Sequence, residues 1–189
     1  MPQREGNMDN IRSFALSSIE TGLNGLLLTL WDDDSPHFEL YYRGIIAFAN
    51  DTWSGDRLSI SELKSAYRHR EFSFVLAENN FAFIDSLEQP VGQWKNILLK
   101  GNKRNYLMEM EKAEEDGLIP LPDSKYPGQW SVDYKQRLTM AKKMIESTTK
   151  MGEKIEQMQK LAKRNAYTLE VYQRVNEVVS FTPKILLAL

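Results

Sequence analysis

The run Gly25-Leu26-Leu27-Leu28-Thr29-Leu30-Trp31 leads without interruption into Asp32-Asp33-Asp34-Ser35-Pro36-His37. A short apolar run that ends in an aromatic residue and three carboxylates has the pattern of a buried parallel strand. Such a strand is covered on both faces and therefore does not alternate. Gly22 and Gly25 set off its start and Pro36 closes it. Seven residues at about 3.3 Å each span roughly 23 Å, enough to cross a domain core. The polar burst falls at the carboxyl end of the strand, where α/β folds place their ligands.

One strand cannot stand alone, because its backbone N–H and C=O groups need neighbours. The chain has 189 residues, whereas a full eight-stranded β/α barrel takes about 250. No second buried strand is evident. The expectation is therefore the tail of something larger, and Lys184–Leu189, which stops in mid-periodicity, points to a cut at the other end too.

Composition narrows the chemistry. There is no cysteine, so disulfides and thiolate metal sites are excluded, and the two histidines, His37 and His69, do not make a histidine-rich centre. Residues 1–53 carry 3 basic and 8 acidic side chains, a balance of −5; residues 54–189 carry 21 and 18, a balance of +3. Neither half has the footprint of a nucleic-acid binder. No apolar run approaches 18 residues, so no membrane span is expected. No signal peptide opens the sequence, which favours the cytoplasm unless residues precede Met1.

Around the apolar run the period changes to that of helices. Ile11, Phe14, Ala15, Ser18 and Ile19 predict a helix over about 8–21, with Asp9 or Asn10 at its N-cap and Gly22 just past its end. Phe38 to Trp53 predicts a second, with a broad apolar face. After Ser54-Gly55-Asp56 the pattern is wholly helical. Ser59-Ile60-Ser61-Glu62 reads as a capping box. Further helices are expected over 74–87, 93–100 and 105–116, then a Pro- and Gly-rich linker to Gln129. One long helix is predicted from Ser131 to Lys163, with a seam of Leu138, Ala141, Ile145, Thr148, Met151, Ile155, Met158 and Leu161. Arg164-Asn165 turns the chain, and Tyr167–Leu189 returns as an antiparallel partner in which Pro183 must kink or restart the helix.

Two readings of Asp32-Asp33-Asp34 stand side by side. Carboxylates favour a helix N-terminus by about 0.3–1 kcal/mol, so the three could cap the helix that starts near Phe38. One cap needs only one of them, however, and three adjacent carboxylates repel one another, which suits a binding site. Contiguous acids without a turn glycine do not match a calcium loop, and no metal or other cofactor is expected. His37 fits a cap or rim better than a catalyst.

The stretch Thr21–Asp34, followed by Arg43-Gly44-Ile45-Ile46-Ala47-Phe48-Ala49, resembles the last strand and last helix of a glycoside hydrolase family 20 barrel. It is similar to the bacterial β-N-acetylhexosaminidase branch, in which an all-helical region follows the barrel. The resemblance is specific over residues 8–53 and only general beyond. It implies that Trp31 forms the back wall of a sugar pocket and that Asp33 hydrogen-bonds sugar hydroxyls, with Asp32, Asp34 and His37 at the rim. Asp32 stands where the bacterial branch often has glycine.

The resemblance also implies a substrate-assisted retaining mechanism, an exception to the two-carboxylate scheme. That mechanism needs an adjacent Asp-Glu pair, and no Asp-Glu dipeptide occurs in the sequence; Glu115-Asp116 is reversed. The family's sugar-binding arginine of the first strand is missing as well. The expected fold class is mainly α: a helix-strand-helix remnant of a (β/α)8 barrel over 1–53, then a helical domain over 54–189 with a long antiparallel hairpin. The expected partner is an N-acetyl-hexosaminide, with no catalytic residue on this chain. The alternative is a non-enzymatic helical module that pairs with a partner or with a second copy of itself.

Overall fold

A computed structural model describes residues 5–30, 38–54, 58–73, 87, 97–99 and 118–189. The protein is mainly helical, and no strand occurs among the described residues. Helix α1 covers Glu5–Glu20. A 3₁₀ turn, Phe38–Tyr41, runs into α2, Tyr42–Ser54, and α3 covers Ile60–Glu71. After the Pro-rich stretch come α4 (Gln129–Asp133), α5 (Lys135–Leu161) and α6 (Ala166–Ala188). The helices expected over 74–87, 93–100 and 105–116 lie almost wholly outside the described residues.

The expected strand is the main correction. Residues 25–30 adopt neither strand nor helix, and Leu27 is 84% exposed. A strand forms only where neighbouring strands complete its hydrogen bonds, and none is present among the described residues. The apolar run is irregular, with Leu27 exposed and Leu26, Leu28 and Leu30 half-buried.

Local signals place the helix ends. At the end of α1, Gly22 has φ +74°. Its N–H donates to the Ile19 carbonyl, and that of Leu23 donates to Ser18, both at 3.0 Å. This is the Schellman arrangement that glycine permits at little steric cost. At α3 the Ser59 hydroxyl accepts from the Glu62 N–H while the Glu62 carboxylate accepts from the Ser59 N–H at 2.7 Å, closing a capping box. The start of α1 lies upstream of Asp9, so neither Asp9 nor Asn10 is its N-cap.

Helix α5 buries one face along most of its length. Thr148, Met151, Ile155 and Met158 are buried along one face, with Ala141 and Met144 before them, while Leu161 and Met140 are 40% exposed. The opposite face is charged and solvated, with a Lys150–Glu146 ion pair of 2.6 Å between exposed side chains. Tyr134 separates α5 from α4, so the helix expected from Ser131 is two elements. Trp130 fixes the first of them by donating its indole N–H to the Pro120 carbonyl at 2.7 Å.

Helix α6 packs along α5 in the opposite sense. Asn176 donates to the Thr148 carbonyl at 2.8 Å, Gly152 faces Gln173 and Asn176, and Ala141 and Met144 cluster with Leu186. The helix continues through the buried Pro183 without restarting. Between α5 and α6, Asn165 has φ +49°, and the N–H groups of Lys163 and Arg164 both donate to the Phe72 carbonyl at the end of α3. The largest core cluster joins Leu40 and Ile46 to Tyr67 and Phe72, to Ile155 of α5 and to Tyr172 of α6. A smaller one joins Met8 of α1, Ala47 of α2 and Leu63 of α3.

Candidate functional site

The sequence places the site at Trp31, Asp32, Asp33, Asp34 and His37. All five lie outside the described residues, so what can be described is the approach to them and the exit. On the approach, α1 ends at the Gly22 turn and the chain runs outward through Leu23, 59% exposed, and Leu27. On the exit, the Phe38 ring lies 5.9 Å from Tyr41 and 6.0 Å, edge-on, from Tyr42. Leu40 and Tyr41 of the same turn are buried and anchor it to the core. Helices α1 and α2 touch each other, so both ends of the segment stand on one support.

Behind the exit lies a buried polar group that periodicity does not reveal. Arg43 of α2 is only 3% exposed, and Tyr67 of α3 and Tyr172 of α6 are 5% and 0% exposed. Burial pushes the Tyr67 phenol up to about 12, with the Tyr172 hydroxyl acting the other way; Glu71 raises it further and Arg43 opposes that. Burial also drives the Tyr172 phenol well above its ordinary value, and the neighbouring Tyr67 adds to the shift. Both phenols are neutral at physiological pH, and a charged form of either is disfavoured by desolvation. The only hint in the sequence is Arg43 itself, a lone cation within the apolar stretch Tyr41–Ala49.

Helices α2 and α3 also bound an open groove of about 660 Å³. Its floor is apolar, formed by Ile46, Leu63 and Tyr67, and Asn50 and Arg70 stand at its rim. Trp53, expected on the buried face of α2, is instead 94% exposed at the groove's edge. An exposed indole beside amide and guanidinium groups suits binding of a ligand with both an apolar face and hydroxyls. Glu71, the one carboxylate among its described lining residues, accepts a hydrogen bond from Asn165 at 2.8 Å.

Among the described residues no group of three or more His, Asp or Glu is placed to hold a metal ion. No helix among them is long and apolar enough to cross a membrane. Comparison with known proteins adds no relative: no family model, no curated protein and no solved structure matches the chain.

Proposed function

We propose that the chain is the C-terminal part of a glycoside hydrolase resembling the family 20 β-N-acetylhexosaminidases, and that it contributes a wall of the sugar pocket and no catalytic acid. Trp31 covers the apolar C–H face of the pyranose. Asp33 accepts charge-assisted hydrogen bonds from its hydroxyls, and Asp32, Asp34 and His37 border the pocket. The observation that carries the reading is the motif Thr21–Asp34 itself, set between two helices that touch through Met8 and Ala47. The exposure of Leu23 and Leu27 before Trp31 supports it as well, since no sheet neighbour covers them among the described residues.

The purified chain is expected to show no turnover of aryl N-acetyl-β-glucosaminides. N-acetylglucosamine is expected to shift NMR signals of Trp31 and Asp33, and Trp31→Ala to abolish that response. Turnover that Asp33→Ala removes would overturn the division of labour. Shifts confined to the α2–α3 groove would move the sugar site away from Trp31.

A second reading, a helical module that pairs with a copy of itself, has its own support. Val178 and Phe181, one turn apart on α6, are 45% and 64% exposed, and apolar side chains grouped on one face are a common mark of interfaces. Sedimentation of the wild-type chain and of Phe181→Asp separates the two cases. A dimer that this change dissolves into folded monomer supports pairing; a wild-type monomer excludes it.

A further inference from the structure

The contact between α5 and α6 is apolar along most of its length, but it opens into a polar groove of about 270 Å³ beside Gly152. Asn176 lines this groove and is only 5% exposed. Its amide N–H is committed to the Thr148 carbonyl at 2.8 Å, which fixes the orientation of the amide. Its Oδ1 is buried and has no hydrogen-bond partner among the described residues, and the same holds for Oε1 of Gln173, one turn earlier. Leaving a buried acceptor unpaired costs about 1–3 kcal/mol, so two of them in one groove call for a donor.

The surroundings narrow what that donor is. The Thr148 hydroxyl already donates to Met144, and that of Ser180 to Glu177. Both therefore face the groove as further acceptors. The carboxylates of Glu153, Glu156 and Glu177 line it against one ammonium, Lys184. Glu177 is paired with Arg174 at 2.9 Å, so Glu153 and Glu156 set the charge near Gly152. An anion is repelled by this lining. A metal ion is not supported either, because no three carboxylate or imidazole groups converge among the described residues. A group that only donates, carries positive charge and offers three N–H bonds fits an acceptor-rich, acidic groove.

We propose that this groove binds the primary ammonium group of a small aliphatic amine, with Asn176 Oδ1 and Gln173 Oε1 as its buried acceptors and Glu153 or Glu156 as its counter-charge. Gly152 lies at the groove's wall, where a Cβ would sit 3.4 Å from the side-chain nitrogens of both Asn176 and Gln173. None of its lining residues is among those proposed for the sugar pocket.

The test is titration of the full-length chain with 1,4-diaminobutane, read through the side-chain amide NMR signals of Asn176 and Gln173. Saturable shifts of both signals are expected in the millimolar range, the affinity of a small, partly exposed site. Tetramethylammonium, which has the charge but no N–H, is expected to bind at least tenfold more weakly, since the buried acceptors then stay unpaired. Gln173→Leu is expected to weaken diamine binding about tenfold. Glu153→Gln/Glu156→Gln, on the exposed rim where folding is not at stake, is expected to weaken binding and to remove its salt dependence. Shifts that do not saturate, an equal response to tetramethylammonium, or affinity unchanged in both variants would each overturn the proposal.

Discussion

The α5–α6 pair and the α1–α2 pair are each two helices in contact, yet their surfaces differ. In the first, the seam of α5 is closed by α6, and residues such as Ile155, Leu169 and Tyr172 are fully buried. In the second, Met8 and Ala47 meet, but Phe14, Leu27 and Trp53 are 64%, 84% and 94% exposed. The apolar residues of α5 and α6 recur at helical spacing, and one neighbouring helix absorbs that pattern. Those of residues 23–31 form a block, and only a sheet absorbs a block of that kind. Among the described residues, the apolar pattern of α5 and α6 meets its partner, and Phe14, Leu27 and Trp53 do not.

The largest test of this contrast is Ile155→Asp. A charge placed where no water or partner reaches it costs several kcal/mol, so cooperative unfolding by urea is expected to be lost. Ile145→Asp, on the partly buried edge of the same helix, is expected to lower the midpoint and keep the transition. Equal effects at the two positions would mean that the seam is not one-sided.

The next test concerns the join between the two regions, where Tyr67 of α3 meets Tyr172 of α6. The folded state holds the Tyr67 phenol at about 12 against an ordinary 10.0. The native protein therefore keeps a proton that the unfolded chain releases. The stability this confers is complete below pH 10 and is lost as pH rises from 10 to 12, about 2–3 kcal/mol in all. Urea midpoints at pH 9 and 11.5 are expected to differ accordingly, and Tyr67→Phe to narrow the gap. An unchanged gap in Tyr67→Phe would leave Tyr172 as the sole cause.

The smallest effect is expected at Leu27. Leu27→Asp is predicted to change stability by less than about 0.5 kcal/mol, as at an exposed surface position. A loss above about 1 kcal/mol would show that the apolar run is packed, and the contrast between the two pairs would fail.

What the sequence disclosed depends on the range of the interaction. The capping box at Ser59 and Glu62 and the glycine turn after α1 involve neighbours within five residues, and both stand in the structure where their spacing puts them. The seam of α5 is similarly legible, because 3.6-residue periodicity is a local property. Other features depend on distant partners. The strand expected over Gly25–Trp31 is not formed at 25–30, where no sheet neighbour is present among the described residues. Of the helical face expected of α1, Ala15 and Ser18 are buried, together with Met8, whereas Phe14 and Ile19 are exposed. Arg43 is buried beside tyrosines from α3 and α6 that no spacing connects to it. The sugar site at Trp31 and Asp33 rests on a motif; the groove beside Trp53 and the buried amide oxygen of Asn176 had no signal that one strand of text could carry.

The link between α5 and α6 bears on the order of folding. Asn165 meets Glu71 across 94 residues of chain, and closing a loop of that length costs on the order of 4 kcal/mol in entropy. Helices α5 and α6 need only the short turn between them, and contacts of that range form within microseconds. The pair therefore assembles early and offers the N–H groups of Lys163 and Arg164 to solvent until Phe72 arrives to accept them. Protection of those two amides from hydrogen exchange during refolding is expected to report the docking of α3 onto the pair.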